Sequence, residues 1–264
     1  YEFPLDPSPR HIAWSPDGEW VTWTRFPEGT LWCSRTDGTR KLRLTEPGEL
    51  GVTMPRWSPD GSRISFTRAM KEGLAIRAFV VSRDGQGLRP VTEDEYIQDS
   101  TAWSPDGRVV VSSLSRAAGE TALRVVDLET GEWEELPGGE GYIGVSSSPD
   151  GRRLVAHEWE GHSGEVHPGQ VHLYDSETGA WAALPGVDGG GLLQWSSDGR
   201  HVYFMPNEQV TRRIDLETHQ IETVADASTL EAESFWTSID PDGRIIGQRT
   251  LTSPDIFTRD LEYE

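Results

Sequence analysis

The stretch Trp14-Ser15-Pro16-Asp17-Gly18 returns along the chain as Trp57-Ser58-Pro59-Asp60-Gly61 and Trp103-Ser104-Pro105-Asp106-Gly107. Three degenerate copies extend the series, so that the closing glycines occupy positions 18, 61, 107, 151, 199 and 243. The interval between them is 43 to 48 residues. A repeat of this length that is built from short strands is typical of the blades of a β-propeller.

Each copy has the residues of a tight turn between two strands. Proline fixes the second residue of a type I turn, serine and aspartate offer oxygens to nearby N–H groups, and glycine adopts a positive φ. Apolar and β-branched runs follow, such as Trp20-Val21-Thr22-Trp23, and these favour strands. A second turn signal, such as Asp127-Leu128-Glu129-Thr130-Gly131, comes later in each repeat. Each repeat is therefore predicted to be a four-stranded antiparallel meander with strands A to D.

The 264 residues divide into six predicted blades, at 6–47, 48–94, 95–138, 139–185, 186–227 and 228–264 together with 1–5. The sixth repeat ends after a predicted strand C, and residues 1–5 are similar to the outer strands of other repeats. We therefore expect one all-β domain, a six-bladed propeller whose ring is closed when the N-terminal strand joins the last blade. Closure of this kind protects the strand edges.

The Trp-Ser-Pro-Asp-Gly repeats resemble those of the TolB-like six-bladed β-propeller family over nearly the whole chain. The resemblance implies a propeller that binds a protein, a peptide or a small ligand, and a periplasmic or extracytoplasmic location. Similar blades occur in the gating propellers of oligopeptidases and in some polysaccharide lyases. The repeat therefore predicts the fold more narrowly than the function.

Charge and composition restrict the partners. The formal net charge is −20 and no basic stripe is visible, which argues against a nucleic acid partner. No apolar stretch is long enough to span a bilayer, so membrane insertion is not expected, and we expect a monomer. The single cysteine, Cys33, rules out an internal disulfide and is predicted to be a buried small apolar residue.

The tryptophans fall into two groups. Four of the eleven, Trp14, Trp57, Trp103 and Trp195, recur at the end of strand A, where a large ring fills the space between adjacent blades. Trp159 and Trp236 break this pattern. These two are therefore candidates for ligand contact.

The predicted meander places the A–B and C–D turns at one end of the propeller and the variable D–A and B–C connections at the other. Variable loops on a rigid frame are the usual place for binding residues. A channel edged by His11, Arg56 and Gln194 would be polar enough to hold water or a small anion. The candidate ligand-binding residues are His11, Arg56, Asp99, Tyr142, His157, Trp159, Gln194 and Trp236.

The connection after strand B of the fourth repeat carries four histidines at five-residue intervals, His157, His162, His167 and His172. A hairpin here would bring His157 near His172, with the other two at its tip. Imidazoles with a carboxylate from Glu158, Glu160 or Glu165 suit zinc or a similar divalent metal. The alternative is a solvated polar loop, because none of the established zinc spacings is present. No other cofactor is expected.

Two functions follow as hypotheses. The first is a non-catalytic binding module that uses the loop face and the channel mouth. The second is an enzyme of the lyase or cyclase type, in which His157, His162 or His167 acts as a base or a metal ligand. The first is preferred, because no residue set meets the geometric tests for a named reaction class.

Overall fold

A computed structural model describes residues 9–47, 51–69, 76–93, 96–115, 119–159, 168–188, 191–207, 209–228 and 234–250. Within these ranges the regular elements are all β-strands, which confirms the all-β prediction. The described part of the chain holds no helix of the length and apolarity that crossing a membrane requires.

Five four-stranded antiparallel sheets follow one another along the chain, and each is a meander in sequence order. Blade 1 comprises β1 (Pro9–Trp14), β2 (Trp20–Arg25), β3 (Thr30–Arg35) and β4 (Leu42–Arg43). Blade 2 comprises β5 (Val52–Trp57), β6 (Arg63–Ala69), β7 (Ile76–Ser82) and β8 (Arg89–Pro90). Blade 3 comprises β9 (Ile97–Trp103), β10 (Val109–Leu114), β11 (Thr121–Val126) and β12 (Trp133–Glu140).

Blade 4 comprises β13 (Tyr142–Ser147), β14 (Arg153–Trp159), β15 (Pro168–Asp175) and β16 (Ala180–Ala183). Blade 5 comprises β17 (Gln194–Trp195), β18 (His201–Asn207), β19 (Val210–Asp215) and β20 (Ile221–Asp226). A two-stranded sheet of β21 (Ser234–Ile239) and β22 (Ile245–Thr250) follows.

The repeated turns have the predicted hydrogen bonds. In the first copy, the Gly18 N–H donates to the carbonyl of Ser15 at 2.9 Å, and the Asp17 carboxylate accepts the N–H of Glu19 at 2.9 Å. The Thr36 N–H, in the next turn of the blade, donates to the carbonyl of Glu19 at 2.9 Å. The A–B and C–D turns therefore lie together at one end of the blade, which we call the turn face, and the other end is the loop face.

The repeat tryptophans join neighbouring blades. Each indole N–H donates to a backbone carbonyl of the preceding blade. The acceptor is the residue immediately before the position that corresponds to the tryptophan. The pairs are Trp57 with Ala13 at 3.1 Å, Trp103 with Arg56 at 3.1 Å and Trp195 with Ser146 at 3.3 Å. In blade 4 Ser147 replaces the tryptophan, and its hydroxyl accepts the backbone N–H of Trp103 at 3.1 Å. These contacts confirm the structural role predicted for the repeat tryptophans.

The apolar core is divided into layers between adjacent blades. One layer packs Leu31 and Cys33 of blade 1 against Trp57 and Ile64 of blade 2, and similar layers join blades 2 to 5. Cys33 is completely buried, and this burial raises the pKa of its thiol to about 12. The prediction of a buried, unreactive cysteine is confirmed.

The predicted count of six blades is met only in part. The structure shows five four-stranded blades, whereas the sixth repeat is described as the β21–β22 hairpin alone. The β21 strand contacts β1 on one side and β17 on the other, so this hairpin lies between the first and fifth blades. The rest of the sixth repeat and residues 1–5 lie outside the described residues. Six complete blades and closure by the N-terminal strand therefore stay predictions.

Candidate functional site

The innermost strands of three blades carry a β-bulge at equivalent positions. The strand register shifts between Arg10 and Ala13, between Thr53 and Arg56, and between Ile143 and Ser146. Each bulge contains a residue with a positive φ: His11 at 49°, Met54 at 51° and Gly144 at 65°. Residues other than glycine rarely adopt this conformation, and they do so preferentially at functional sites. The bulges therefore mark the inner rim of the ring as a candidate site.

Blade 3 has its bulge at a different residue from the one that the repeat predicts. Counting from the repeat tryptophan makes Ser100 the equivalent of His11, but Ser100 is paired with Ser112, and the register shifts at Asp99. The bulge therefore displaces the carboxyl-bearing residue from the regular ladder. Asp99, a predicted candidate, therefore lies in the bulge itself, and the repeat count alone does not explain this placement.

Arg56 spans the centre of the ring. Its Nη2 donates to the carbonyl of Leu193 at 3.2 Å, which joins the innermost strand of blade 2 to the residue that precedes β17 of blade 5. Burial lowers the pKa of Arg56 to about 10, so the guanidinium stays charged at neutral pH. Gln194, another predicted residue, is the neighbour of Leu193 in β17. The contact thus places the Arg56 side chain beside the residue that precedes Gln194.

His11 lies close to Arg56 and is neutral at pH 7. Burial, followed by the charges of Arg56 and Arg10, lowers the pKa of His11 to about 4. The side chain is only partly screened from solvent, as expected for a residue that lines a narrow channel rather than a closed core. The formal positive charges beside His11 therefore belong to Arg56 and Arg10.

Asp99 is held by groups of blades 3 and 4. Burial raises the pKa of this carboxyl above its usual range, although hydrogen bonds from Ser112, Ser100 and the Gly144 N–H act in the opposite direction. The Ser100 hydroxyl donates to it at 3.3 Å. A desolvated carboxyl binds its proton more tightly in the folded state than in the unfolded chain.

This raised pKa predicts how Asp99→Asn changes the stability. The folded pKa of Asp99 lies above the unfolded value of 3.8. The wild-type protein therefore loses stability as the pH rises from the unfolded pKa through the folded pKa, whereas asparagine does not titrate. The free energy of unfolding of Asp99→Asn, relative to wild type, should therefore rise between about pH 4 and pH 8 in urea titrations.

Asp127→Asn is the matched control. The N–H groups of Thr130 and Glu129 lower the pKa of Asp127, so the sign is reversed: this variant should become relatively less stable as the pH rises toward about 4 and should change little above it. The same pH trend in both variants would contradict the assignment of a desolvated carboxyl at Asp99.

His157 is buried, with 4% of its surface exposed, and it faces blade 5. Its Nε2 lies 3.2 Å from the carbonyl of Gly191. Burial lowers its pKa, opposed by hydrogen bonds to Gly191 and Gly169. A Cβ at position 144 would lie 2.8 Å from Cδ2 of this ring. The bulge glycine therefore provides the space in which His157 packs behind the inner strand.

A second cluster lies on the face of blade 4 that points toward blade 3. The Tyr142 hydroxyl is 2.9 Å from Nδ1 of His172, and Nε2 of His172 is 3.6 Å from the carboxylate of Glu158. Trp181 stacks on Tyr142 with ring centroids 4.3 Å apart. Burial, followed by the charge of Glu158, raises the pKa of Tyr142. Tyr142 thus belongs to an aromatic layer between two blades and not to the channel group.

The pairing of the fourth-blade hairpin separates two of the predicted metal ligands. In the β14–β15 ladder Val171 is opposite His157, and Ala156 is opposite His172. Because successive residues of a strand point to opposite faces, the two imidazoles lie on opposite sides of the blade. The expectation that the hairpin brings His157 near His172 was wrong. In the part of the chain that the structure describes, no three His, Cys, Asp or Glu side chains form a group that could hold a metal.

The remaining predicted residues are placed as follows. His162 and His167 lie outside the described residues. Trp159 ends β14 at the loop face, where its backbone N–H donates to the carbonyl of Gly141 at 2.7 Å. Trp236 lies in β21 opposite Gln248, but its side chain is outside the described part.

Comparisons with known proteins give partial matches in sequence. No protein-family model matches the chain. A segment of 108 residues is 32% identical to the uncharacterized peptidase YuxL of Bacillus subtilis, and it covers 41% of this chain and 16% of that protein. A segment of 95 residues is 38% identical to the Tol-Pal system protein TolB of Anaeromyxobacter dehalogenans, covering 34% of this chain and 20% of that protein. The matched segments are thus a small part of these relatives.

The structural matches span most of the chain. TolB from Acinetobacter baumannii superposes with a TM-score of 0.62 at 17% identity, over 89% of this chain and 56% of TolB. The fold is that of a TolB-like β-propeller. An oligogalacturonate lyase from Vibrio parahaemolyticus superposes on this chain with a TM-score of 0.57 at 11% identity, over 92% of this chain and 88% of the lyase. Identities this low show a shared fold alone.

Proposed function

We propose that this TolB-like propeller is a non-catalytic binding module that presents its loop face and channel mouth to a protein, a peptide or a small ligand. The observation that carries the proposal is the contrast between the two ends of the blades. At the turn face, aspartates such as Asp127 accept N–H groups of their own turn, at 2.7 and 3.0 Å. Toward the channel the blades differ, and they place His11, Arg56 and Asp99 on neighbouring inner strands.

Photo-crosslinking from the two faces tests this proposal. Phe26, at the B–C turn of blade 1, has 48% of its surface exposed, and Glu129 is exposed in the C–D turn of blade 3. We expect p-benzoylphenylalanine at position 26 to give discrete crosslinked species in cells of the source organism, and the same residue at position 129 to give none of them. Identical products from both positions, or none from position 26, would contradict a binding role of the loop face.

An enzyme of the lyase or cyclase type is the second candidate. The Tyr142–His172–Glu158 chain favours it, since a tyrosine and a carboxylate on either side of an imidazole are suited to proton transfer, and a lyase shares the fold. We place it second because Tyr142 and His172 lie in the layer between blades 3 and 4, beside Trp181. Turnover of oligogalacturonate by the wild-type protein that is lost in His172→Ala would reverse this order.

We also propose that the ring has six blades closed by residues 1–5, and that the protein acts outside the cytoplasm, as the TolB-like resemblance implies. The contacts of β21 with both β1 and β17 support the ring. Deletion of residues 1–5 should lower the melting temperature by several degrees, because an edge strand would lose its partner. An unchanged melting temperature would contradict the closure, and recovery of the native protein from the cytosolic fraction would contradict the location.

A further inference from the structure

The backbone of Arg56 is held by a hydrogen bond, but only one N–H group of its guanidinium has a described acceptor. Its own carbonyl accepts the indole N–H of Trp103 at 3.1 Å, which fixes the backbone from which the side chain extends. A guanidinium has five N–H donors in a planar fork, and Nη2 of Arg56 donates to the carbonyl of Leu193 at 3.2 Å. A carbonyl supplies a dipole but no charge, so the positive charge of Arg56 is not neutralised by this contact.

The lack of a counter-ion distinguishes Arg56 from the paired arginines of the surface. Arg108 lies 2.8 Å from the carboxylate of Asp106 and 2.7 Å from that of Glu134, and Arg200 lies 2.7 Å from Asp215. Among the residues that the structure describes, no carboxylate lies within ion-pair distance of Arg56. The full chain has 44 acidic residues and a net charge of −20. Buried charges in proteins are normally paired because desolvation is costly.

The other polar groups of the channel do not supply the missing charge. Asp99 accepts hydrogen bonds from the Ser100 hydroxyl at 3.3 Å and from the Gly144 N–H, which belong to blades 3 and 4. His11 is adjacent, and in its neutral form it carries no charge that would compensate the guanidinium. The inner rim therefore combines the guanidinium of Arg56, which has no described carboxylate partner, with a neighbouring imidazole and with the charge of Arg10.

We propose that the channel contains an anion site, in which Arg56 binds a carboxylate or a similar small oxyanion beside His11. The planar fork of arginine matches the two oxygens of a carboxylate or a phosphate. The inference deepens the proposed binding function and rests on it, because it states which chemical group of a ligand enters the channel. That group is either the C-terminal carboxylate of a peptide or a free inorganic oxyanion.

Calorimetric titration at constant ionic strength tests the site with three probes: inorganic phosphate, triglycine, and triglycine amide, which lacks the carboxylate. We expect saturable binding of phosphate or triglycine to the wild-type protein, and none of the amide. Binding of triglycine alone identifies a peptide carboxylate as the ligand, and binding of phosphate alone identifies an inorganic oxyanion. Arg56→Gln should weaken the binding about tenfold to a hundredfold, as expected for loss of a charge-assisted hydrogen bond.

Arg152→Gln is the matched control, because it removes the same charge from an exposed arginine at the turn face, 3.4 Å from Glu177. It should bind like wild type. If Arg56→Gln does not fold, Arg56→Lys keeps the charge but loses the fork, and we expect several-fold weaker binding. No saturable binding to wild type, or equal affinity in wild type and the Arg56 variants, would overturn the anion site. Persistent crosslinks from position 26 in that case would leave the binding module standing, so the two proposals can fail separately.

Discussion

Trp103→Ala should lower the free energy of unfolding by about 3–5 kcal/mol, as large-to-small substitutions of buried aromatic residues do. Trp103 is completely buried in the layer between blades 2 and 3. Its indole N–H donates to the carbonyl of Arg56 at 3.1 Å. The substitution therefore opens a cavity and leaves a polar group of the neighbouring inner strand without its partner.

Trp133→Ala is the control for this experiment, since it makes the same substitution in an outer strand. Trp133 has 45% of its surface exposed and contacts the guanidinium of Arg124 at 4.0 Å. Loss of this cation–π contact should cost about 0.5–1 kcal/mol. Both values come from urea titrations monitored by circular dichroism. Similar losses in the two variants would show that the repeat tryptophans do not join the blades.

The turns and the tryptophan contacts could be predicted because they are local or repeated. A Ser-Pro-Asp-Gly turn forms its hydrogen bonds within a few residues, such as that from Gly61 N–H to the carbonyl of Ser58 at 2.9 Å. The repeat then fixes the inter-blade contact, because Trp57, Trp103 and Trp195 each donate a hydrogen bond to the same position of the preceding blade. The strand order and the layered core follow from these two features.

The register of the fourth-blade hairpin could not be predicted in the same way. The side chains of a strand alternate between its faces, so a difference of one residue in the pairing exchanges the two sides. Pairing of Ala156 with His172 sends His157 toward blade 5 and His172 toward blade 3. The spacing of the histidines carries no information on that choice.

The channel contacts depend on residues that are far apart in the chain. Arg56 and Leu193 are separated by 137 residues, and they meet because blades 2 and 5 lie across the ring. The sequence indicated that Arg56 and Gln194 edge a channel, but not that the guanidinium spans it. The signal available for this site was an arginine at a strand position that the other repeats fill with uncharged residues, Ala13, Ala102, Ser146, Gln194 and Ser238.

Gly151→Ala should lower the free energy of unfolding by about 2–4 kcal/mol, which combines the cost of a positive φ without glycine with that of overpacking. Gly151 has a φ of 72°, and a Cβ there would lie 2.8 Å from both the Pro105 nitrogen and the Ser104 carbonyl carbon. These are backbone atoms of the turn in blade 3, which cannot rotate away as a flexible side chain would.

Gly131→Ala separates the two contributions to this loss. Gly131 has a similar φ of 75°, but no atom lies within 4 Å of a Cβ built there, so only the backbone strain of about 1 kcal/mol should remain. The difference between the two variants, measured by urea titration, reports how closely adjacent turns pack at the turn face. Equal losses of stability would mean that the turns of blades 3 and 4 can move apart to accommodate the added methyl group. The turn face would then not be the rigid frame that holds the channel residues in place.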